Sequence, residues 1–317
     1  MNNSSLIPAS FVALMMTFCS SPKIEKSPFV FNETDQGIEL VENGEPVFFY
    51  QKKPKTLTGE YICNNYIHPL YNLDGDILTE EFPPDHPYHR GIFWTWHQLY
   101  VDNKSIGDGW INDGISQDVV NVRTEKSQEK AQFNLDVMWI SSTFNNGKPF
   151  MNEKTSVTVH QVESDIRKID FEITLKALVE RLQIGGSADA KGYGGFCVRL
   201  NLTDSLIFTS ENGSVIPQEL QIVAGPWMDF SGSFATDSKV SGITILCHPG
   251  TPDYPEPWIL RQKGSMQNIV FPGQNRINIL RDKPTILRYR VIIHKGNAES
   301  LNIPELQIEY AKMYSNR

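Results

Sequence analysis

Three things are scarce in this sequence, and each shortage removes a class of function. Cysteine is one: four thiols in 317 residues, with no paired spacing, do not make a disulfide framework. Cys197 and Cys247 sit in the strand-like runs Phe196-Cys197-Val198 and Ile245-Leu246-Cys247, so they read as buried thiols. Positive charge is another. A formal charge of −8, a pI near 5.4 and the lack of any Lys/Arg cluster argue against a surface that tracks nucleic-acid phosphates. Helical periodicity is the third, and little of the chain beyond its C-terminus carries it. Nucleophile and nucleotide motifs are missing as well. No Gly-x-Ser-x-Gly elbow is present. Lys191-Gly192-Tyr193-Gly194-Gly195 is glycine-rich but has neither a Walker pattern nor a following helix, and reads as a loop into the strand Phe196-Cys197-Val198-Arg199-Leu200.

What is there begins with an apolar run over residues 6–18, ended by Cys19-Ser20-Ser21-Pro22 and too short to span a membrane as a mature helix. Residues 1–21 are therefore expected to be a secretory signal, with Cys19 acylated as in a bacterial lipoprotein. The product would be exported, periplasmic or on the outer membrane, and would touch lipid through that anchor alone. No Lys or Arg precedes the run and bulky Phe18 precedes the cysteine, both departures from the usual lipoprotein pattern. After a polar tether, short runs alternate apolar and polar residues, as in Ala131-Gln132-Phe133-Asn134-Leu135-Asp136-Val137 and Ile286-Leu287-Arg288-Tyr289-Arg290-Val291-Ile292-Ile293. Period two with Asn, Asp, Gly and Pro between the runs means antiparallel sheets. With 40% hydrophobic residues and no linker, residues 28–317 are expected to form one large all-β, two-sheet antiparallel sandwich with few short helices. Pro304 is expected to open a C-terminal helix whose shared face is Leu306, Tyr310 and Met313. The polar stretch 113–130 reads as a long excursion.

The stretch Asp85-His86-Pro87-Tyr88-His89-Arg90-Gly91, running into Ile92-Phe93-Trp94-Thr95-Trp96-His97, is the richest in chemistry. It gathers three of the seven histidines and two of the six tryptophans into thirteen residues. Imidazole titrates near neutral pH, and tryptophan offers a flat face on which a sugar ring can stack. Three further loops each carry a Trp beside a titratable group: residues 108–114 with Trp110, residues 224–232 with Trp227 and Asp229, and residues 247–258 with His248, Glu256 and Trp258. The plain alternative is structural: buried aromatics, a strand-end His248, and Asp229 as a turn residue. Read together, the four favour a site. His86, His89 and His248 would be acid/base groups, with Asp229 as partner and Arg90 for a substrate carboxylate or oxyanion. Trp94, Trp96, Trp110, Trp227, Trp258 and His97 would hold the ligand. No paired carboxylates stand out, and Asp229 and Glu256 would be the ones to test if carboxylates did the work. No cofactor is expected; an ion held by His86 and His89 is the alternative, with His248, His68 or Asp85 as further ligands. His97, eight residues beyond His89, would lie roughly 26 Å away along a strand and could join only if the chain folded back.

Asp85-His86-Pro87-Tyr88-His89-Arg90 with Phe93-Trp94 resembles the Asp-His-Pro-His-His-Arg signature of the bacterial "PmoA-like" family of unknown function. Gly225-Pro226-Trp227-Met228-Asp229-Phe230-Ser231-Gly232 is similar to that family's Pro-Trp-x-Asp-Tyr-Ser-Gly block. His248-Pro249, Pro257-Trp258 and Phe271-Pro272-Gly273 fit its last block, so the resemblance runs from about residue 60 to 295. Tyr88 stands where the family commonly has a second histidine, Gly91 where serine is common, and Gln98 where a glycine follows the histidine. The resemblance implies a galactose-mutarotase-like β-supersandwich associated with sugar degradation. The family's methane-oxygenase label fits poorly, since the sequence offers neither a mature membrane span nor a convincing copper site. The expected function is a carbohydrate-active enzyme (hydrolase, lyase or epimerase) working by histidine acid/base catalysis, against a non-catalytic glycan-binding lipoprotein or a metal-dependent enzyme.

Overall fold

A computed structural model describes residues 27–314 apart from 202, 204–205, 236–238 and 264–265. The proposed leader and Cys19 lie outside the described residues. The chain forms an all-β sandwich of antiparallel sheets, with one α-helix, Ile303–Lys312, among the described residues. The first sheet has eight strands. It begins with Phe29–Glu33, Gly37–Glu42, Glu45–Gln51 and Tyr66–Leu70, and continues through Ile92–Trp96, Gly194–Arg199, Met266–Val270 and Trp258–Ile259. The second sheet has nine strands, centred on Val240–Cys247, Thr285–Lys295, Ile166–Ala177 and Pro149–His160, with Ile115–Lys126 at one edge. A small third sheet is built on Leu182–Gly185 and Gln98–Val101. No helix among the described residues is long and apolar enough to cross a membrane.

Burial of one face per strand holds the two large sheets together. Lys130–Ser141 alternates buried and partly exposed residues along its length, as a strand covered on one side must. Phe133 from this strand meets Phe31, Phe48 and Tyr50 of the opposite sheet at ring separations of 5.1, 5.2 and 6.3 Å. Deeper in, Phe196 packs on Tyr289 at 4.7 Å and on Phe171 at 5.1 Å. Each of the fully buried rings among them contributes roughly 1.5–3 kcal/mol. Cys63, Cys197 and Cys247 are buried free thiols.

The strands that carry the site are covered on both faces. In Ile92–Trp96 all five residues are buried. Trp94 and Trp96 point into the sandwich core. Phe93 points the other way, into a separate cluster with Cys63, Tyr66, Phe82, Trp110, Cys197 and Met266. Its neighbour Gly194–Arg199 divides likewise, with Phe196 and Val198 inward and Cys197 outward. Arg199, two residues beyond Cys197, shares that outward face. Functional side chains therefore gather on the outer face of the first sheet, under loops.

Two sequence expectations are corrected here. Residues 113–130 are mostly the edge strand Ile115–Lys126, registered against Lys130–Ser141. The stretch looked like a loop because only its inward residues Ile115, Gln117 and Val119 are buried. The C-terminal helix starts one residue before Pro304, capped by Asn302, whose Oδ1 accepts from the Glu305 amide. Its buried face is Ile303, Gln307 and Tyr310. Met313 is 44% exposed.

Candidate functional site

The histidine stretch forms two tight turns pinned at both ends. The His86 amide donates to Pro83 and the His89 amide to His86, while Phe82 and Gly91 bond back to His89 and Glu80. Gly91 is required at the exit. Its φ is +41°, and a Cβ there would lie 1.9 Å from the Ile67 carbonyl oxygen. The second contributing loop is closed by reciprocal Asp108–Asp113 amide bonds and tied to the strand by the Gly109 amide on the Trp96 carbonyl. Together they wall a cleft of about 600 Å3 lined also by Lys191, Tyr193, Leu260, Arg261, Lys263 and Met266.

Two histidines in this cleft are each backed by their own carboxylate. His86 Nδ1 is 2.8 Å from Asp85 Oδ2, and His97 Nδ1 is 2.8 Å from Asp108 Oδ2. A carboxylate accepts only, so each Nδ1 carries the proton and each Nε2 is left as the working atom. Arg199 organises the first pair. It donates to Glu80 at 3.0 Å, to Asp85 Oδ1 at 2.9 Å and to His89 Nδ1 at 3.3 Å. Burial raises the Asp85 carboxyl, but the bonds from His86 and Arg199 outweigh this and hold it below its ordinary value. His89 differs from its neighbours. Because its Nδ1 accepts from a guanidinium, the ring is neutral, and burial plus the nearby His86 and Arg199 charges push its pKa down to about 2. His89 stacks on His86 at 4.7 Å with 3° between the rings, so it acts as a fixed wall for the His86 ring. Ring lone pairs in two parallel planes do not converge on one ion, which argues against His86 and His89 sharing a metal.

Trp110 links the two halves. His97 stacks on it at 5.1 Å and 14°, His89 meets it edge-on at 6.0 Å, and Tyr193 lies 5.3 Å away. At 3% exposure Trp110 is a wedge beneath the site rather than an open sugar platform. The half-buried rings of Tyr88 and Tyr193 offer the open aromatic surface. Through Trp110, the centroids of His89 and His97 are at most about 11 Å apart. The chain does fold back: the strand between them is only Ile92–Trp96, and the Asp108 loop draws His97 to the same side.

The other expected site residues lie elsewhere. Trp94, Trp96 and Trp258 are in the sandwich core, the latter two with their indole N–H groups on the Phe271 and Gly225 carbonyls. Arg90 is 1% exposed beneath the site, its guanidinium 4.6 Å from the Phe93 ring centroid and bonded to the Tyr88 carbonyl. The 224–232 segment is mainly the strand Trp227–Ser233. Asp229 and Trp227 belong to the outer face of the second sheet, on the far side of the sandwich from the cleft. There Asp229 is sealed at 0% exposure among Ser231, Thr244 at 2.7 Å and His294 at 2.8 Å. Trp227 packs with Ile303 and Tyr310 of the helix, and His248 meets Tyr310 and Tyr314 edge-on, its pKa lowered by burial. Glu256 is buried against Tyr289. Of the expected residues, His86, His89, His97 and Trp110 come together. Sequence reasoning missed Asp85 and Asp108 as orienters, and Tyr193, Arg199 and Arg261 altogether. A charged residue inside the apolar run Phe196-Cys197-Val198-Arg199-Leu200 was the available signal.

Among protein families, the model described as "Family of unknown function (DUF6807)" matches residues 37–307, which takes in the whole cleft. No curated protein matches the chain.

Proposed function

The chain belongs to the DUF6807 family of unknown function, and from that premise we propose an exported carbohydrate-active enzyme in which His86 and His97 exchange protons with a sugar. One observation carries the reading: two carboxylate-backed histidines open on one cleft with aromatic walls. A carboxylate on Nδ1 fixes the tautomer and stabilises the imidazolium that forms when Nε2 takes a proton. Either histidine can then serve as base and the other as acid. Tyr88 and Tyr193 supply ring faces for the sugar, and neutral His89 adds no charge of its own beside the His86 ring. On this reading the sandwich is of the galactose-mutarotase type, and residues 1–21 direct export with Cys19 as the acylated residue.

The test is a glycan screen of the mature protein, read by product formation and thermal shift, alongside His86→Ala and His97→Ala. The expected result is a product whose rate of formation falls roughly 100-fold or more in each folded variant. Glycan binding without product, unaffected by both substitutions, would overturn the enzyme reading and leave a glycan-binding lipoprotein.

A further inference from the structure

Acidic residues outnumber basic ones in the whole chain, 37 to 29, but the cleft reverses that balance. Lys191, Arg199, Arg261 and Lys263 line it against one carboxylate, Glu219. Two of those cations are neutralised locally: Arg199 by Glu80 and Asp85, Lys191 by Glu219 at 3.1 Å. Arg261 is fixed in place differently. Its Nη1 donates to the carbonyls of Gln218 at 2.5 Å and Leu260 at 3.0 Å, and its Nη2 to the Glu219 carbonyl at 2.7 Å. Its guanidinium lies 5.6 Å from the Tyr193 ring centroid. No carboxylate among the described residues comes within ion-pair distance of it. Carbonyl oxygens hold a guanidinium still without cancelling its charge, which leaves a preorganised cation facing the cleft.

We propose that the cleft takes an acidic sugar, a hexuronate, with its ring against Tyr193 and its carboxylate on Arg261. The proposal rests on the acid/base reading above and specifies its substrate. The ring contacts make the chemistry continuous: Arg261 lies on Tyr193, Tyr193 on Trp110, and His97 on the same indole. A carboxylate on Arg261 would leave its neighbouring carbon in the same cleft as the two histidines. That C5–H is the most acidic C–H of a uronate ring, and a cation on the carboxylate stabilises the charge that develops when it is removed. One imidazole takes the C5 proton, the electron pair forms the C4–C5 double bond, and the C4–O bond breaks. The other histidine, as imidazolium, gives its proton to the departing oxygen. The β-elimination balances without oxidant or reductant and yields a 4,5-unsaturated uronate. A sulfate would satisfy the cation but would leave the histidine pair without an acidified C–H to act on.

The experiment offers the mature protein oligouronates, their methyl esters and matched neutral oligosaccharides, reading binding by calorimetry and elimination by the ultraviolet absorbance of the conjugated product. The acid is expected to bind at least about tenfold more tightly than its ester and to give the unsaturated product. Arg261→Gln should weaken acid binding roughly 10- to 100-fold, with Arg261→Lys in between. Because Arg261 also anchors the Gln218–Glu219 loop, the acid-against-ester comparison on the unaltered protein carries the test without any variant. Equal binding of acid and ester overturns the inference. Turnover of a neutral glycan that depends on His86 and His97 overturns it too, while leaving the acid/base reading standing. Uronate binding with no product, insensitive to His86→Ala and His97→Ala, overturns both.

Discussion

His89 makes the protein acid-sensitive by an amount that can be worked out. The ring is 5% exposed, stacked on His86, edge-on to Trp110, and accepts a hydrogen bond from Arg199 on Nδ1. Protonation would remove that acceptor and place a buried cation against a guanidinium, which is why its folded pKa falls to about 2. The unfolded chain takes up a proton near pH 6.5, its ordinary value. A folded pKa depressed in this way contributes nothing adverse above about pH 6.5 and costs stability progressively as pH falls below it. At 1.36 kcal/mol per unit, the loss at pH 5 is about 2 kcal/mol, a large share of a typical stability of about 5–15 kcal/mol. The comparison is His89→Asn, whose Oδ1 can accept from Arg199 but does not titrate. Urea midpoints for both proteins between about pH 7.5 and 5 isolate the effect, because contributions from His68, His248 and Glu256 are common to the two. The native protein should lose about 2 kcal/mol more than the variant over that range. Parallel stability curves would refute the assignment of a neutral, Arg199-bonded His89.

Two further outcomes test the surroundings. Burial pushes Glu256 up to about 7, so the folded state holds its proton and stability is lost as pH rises from 4.5 through 7. Glu256→Gln, which keeps an acceptor for Tyr289, should raise the urea-derived stability at pH 8 by up to about 3 kcal/mol and by little at pH 4.5. Trp110→Ala should cost about 3–5 kcal/mol by thermal or urea unfolding, as removal of a buried indole does. It should also free His97 from its stack, so a folded variant that kept full activity would contradict the role of Trp110 as the wedge between the two histidines.

Much of the fold was legible because a strand covered on one side writes its pattern directly into sequence. Lys130–Ser141 was read from its alternation alone. The pattern fails where both faces are covered. In Ile92–Trp96 every residue is buried, so nothing in the sequence separates inward Trp94 and Trp96 from outward Phe93. The tryptophans of the motif blocks looked like sugar platforms for that reason, whereas most of them are core. His86 and His89 were legible as a concentration of titratable groups. Their guanidinium partner was not, since Arg199 reaches His89 and Asp85 only through sheet pairing across a long sequence separation, and Asp108 reaches His97 only by closure of the loop that follows it. Asp229 shows the reverse case. Its motif looked like a functional loop with Asp229 as a partner to the histidines, but strand pairing seals it against His294, a residue hidden in the apolar run Ile292-Ile293-His294.

The most direct measurement of the central claim is product formation from the glycan screen by the native protein, His86→Ala and His97→Ala, with thermal unfolding confirming that each variant is folded. If the two carboxylate-backed histidines are the acid/base pair, both substitutions reduce turnover roughly 100-fold or more while leaving ligand binding measurable. A folded His97→Ala variant with native turnover would contradict the pairing of His86 with His97.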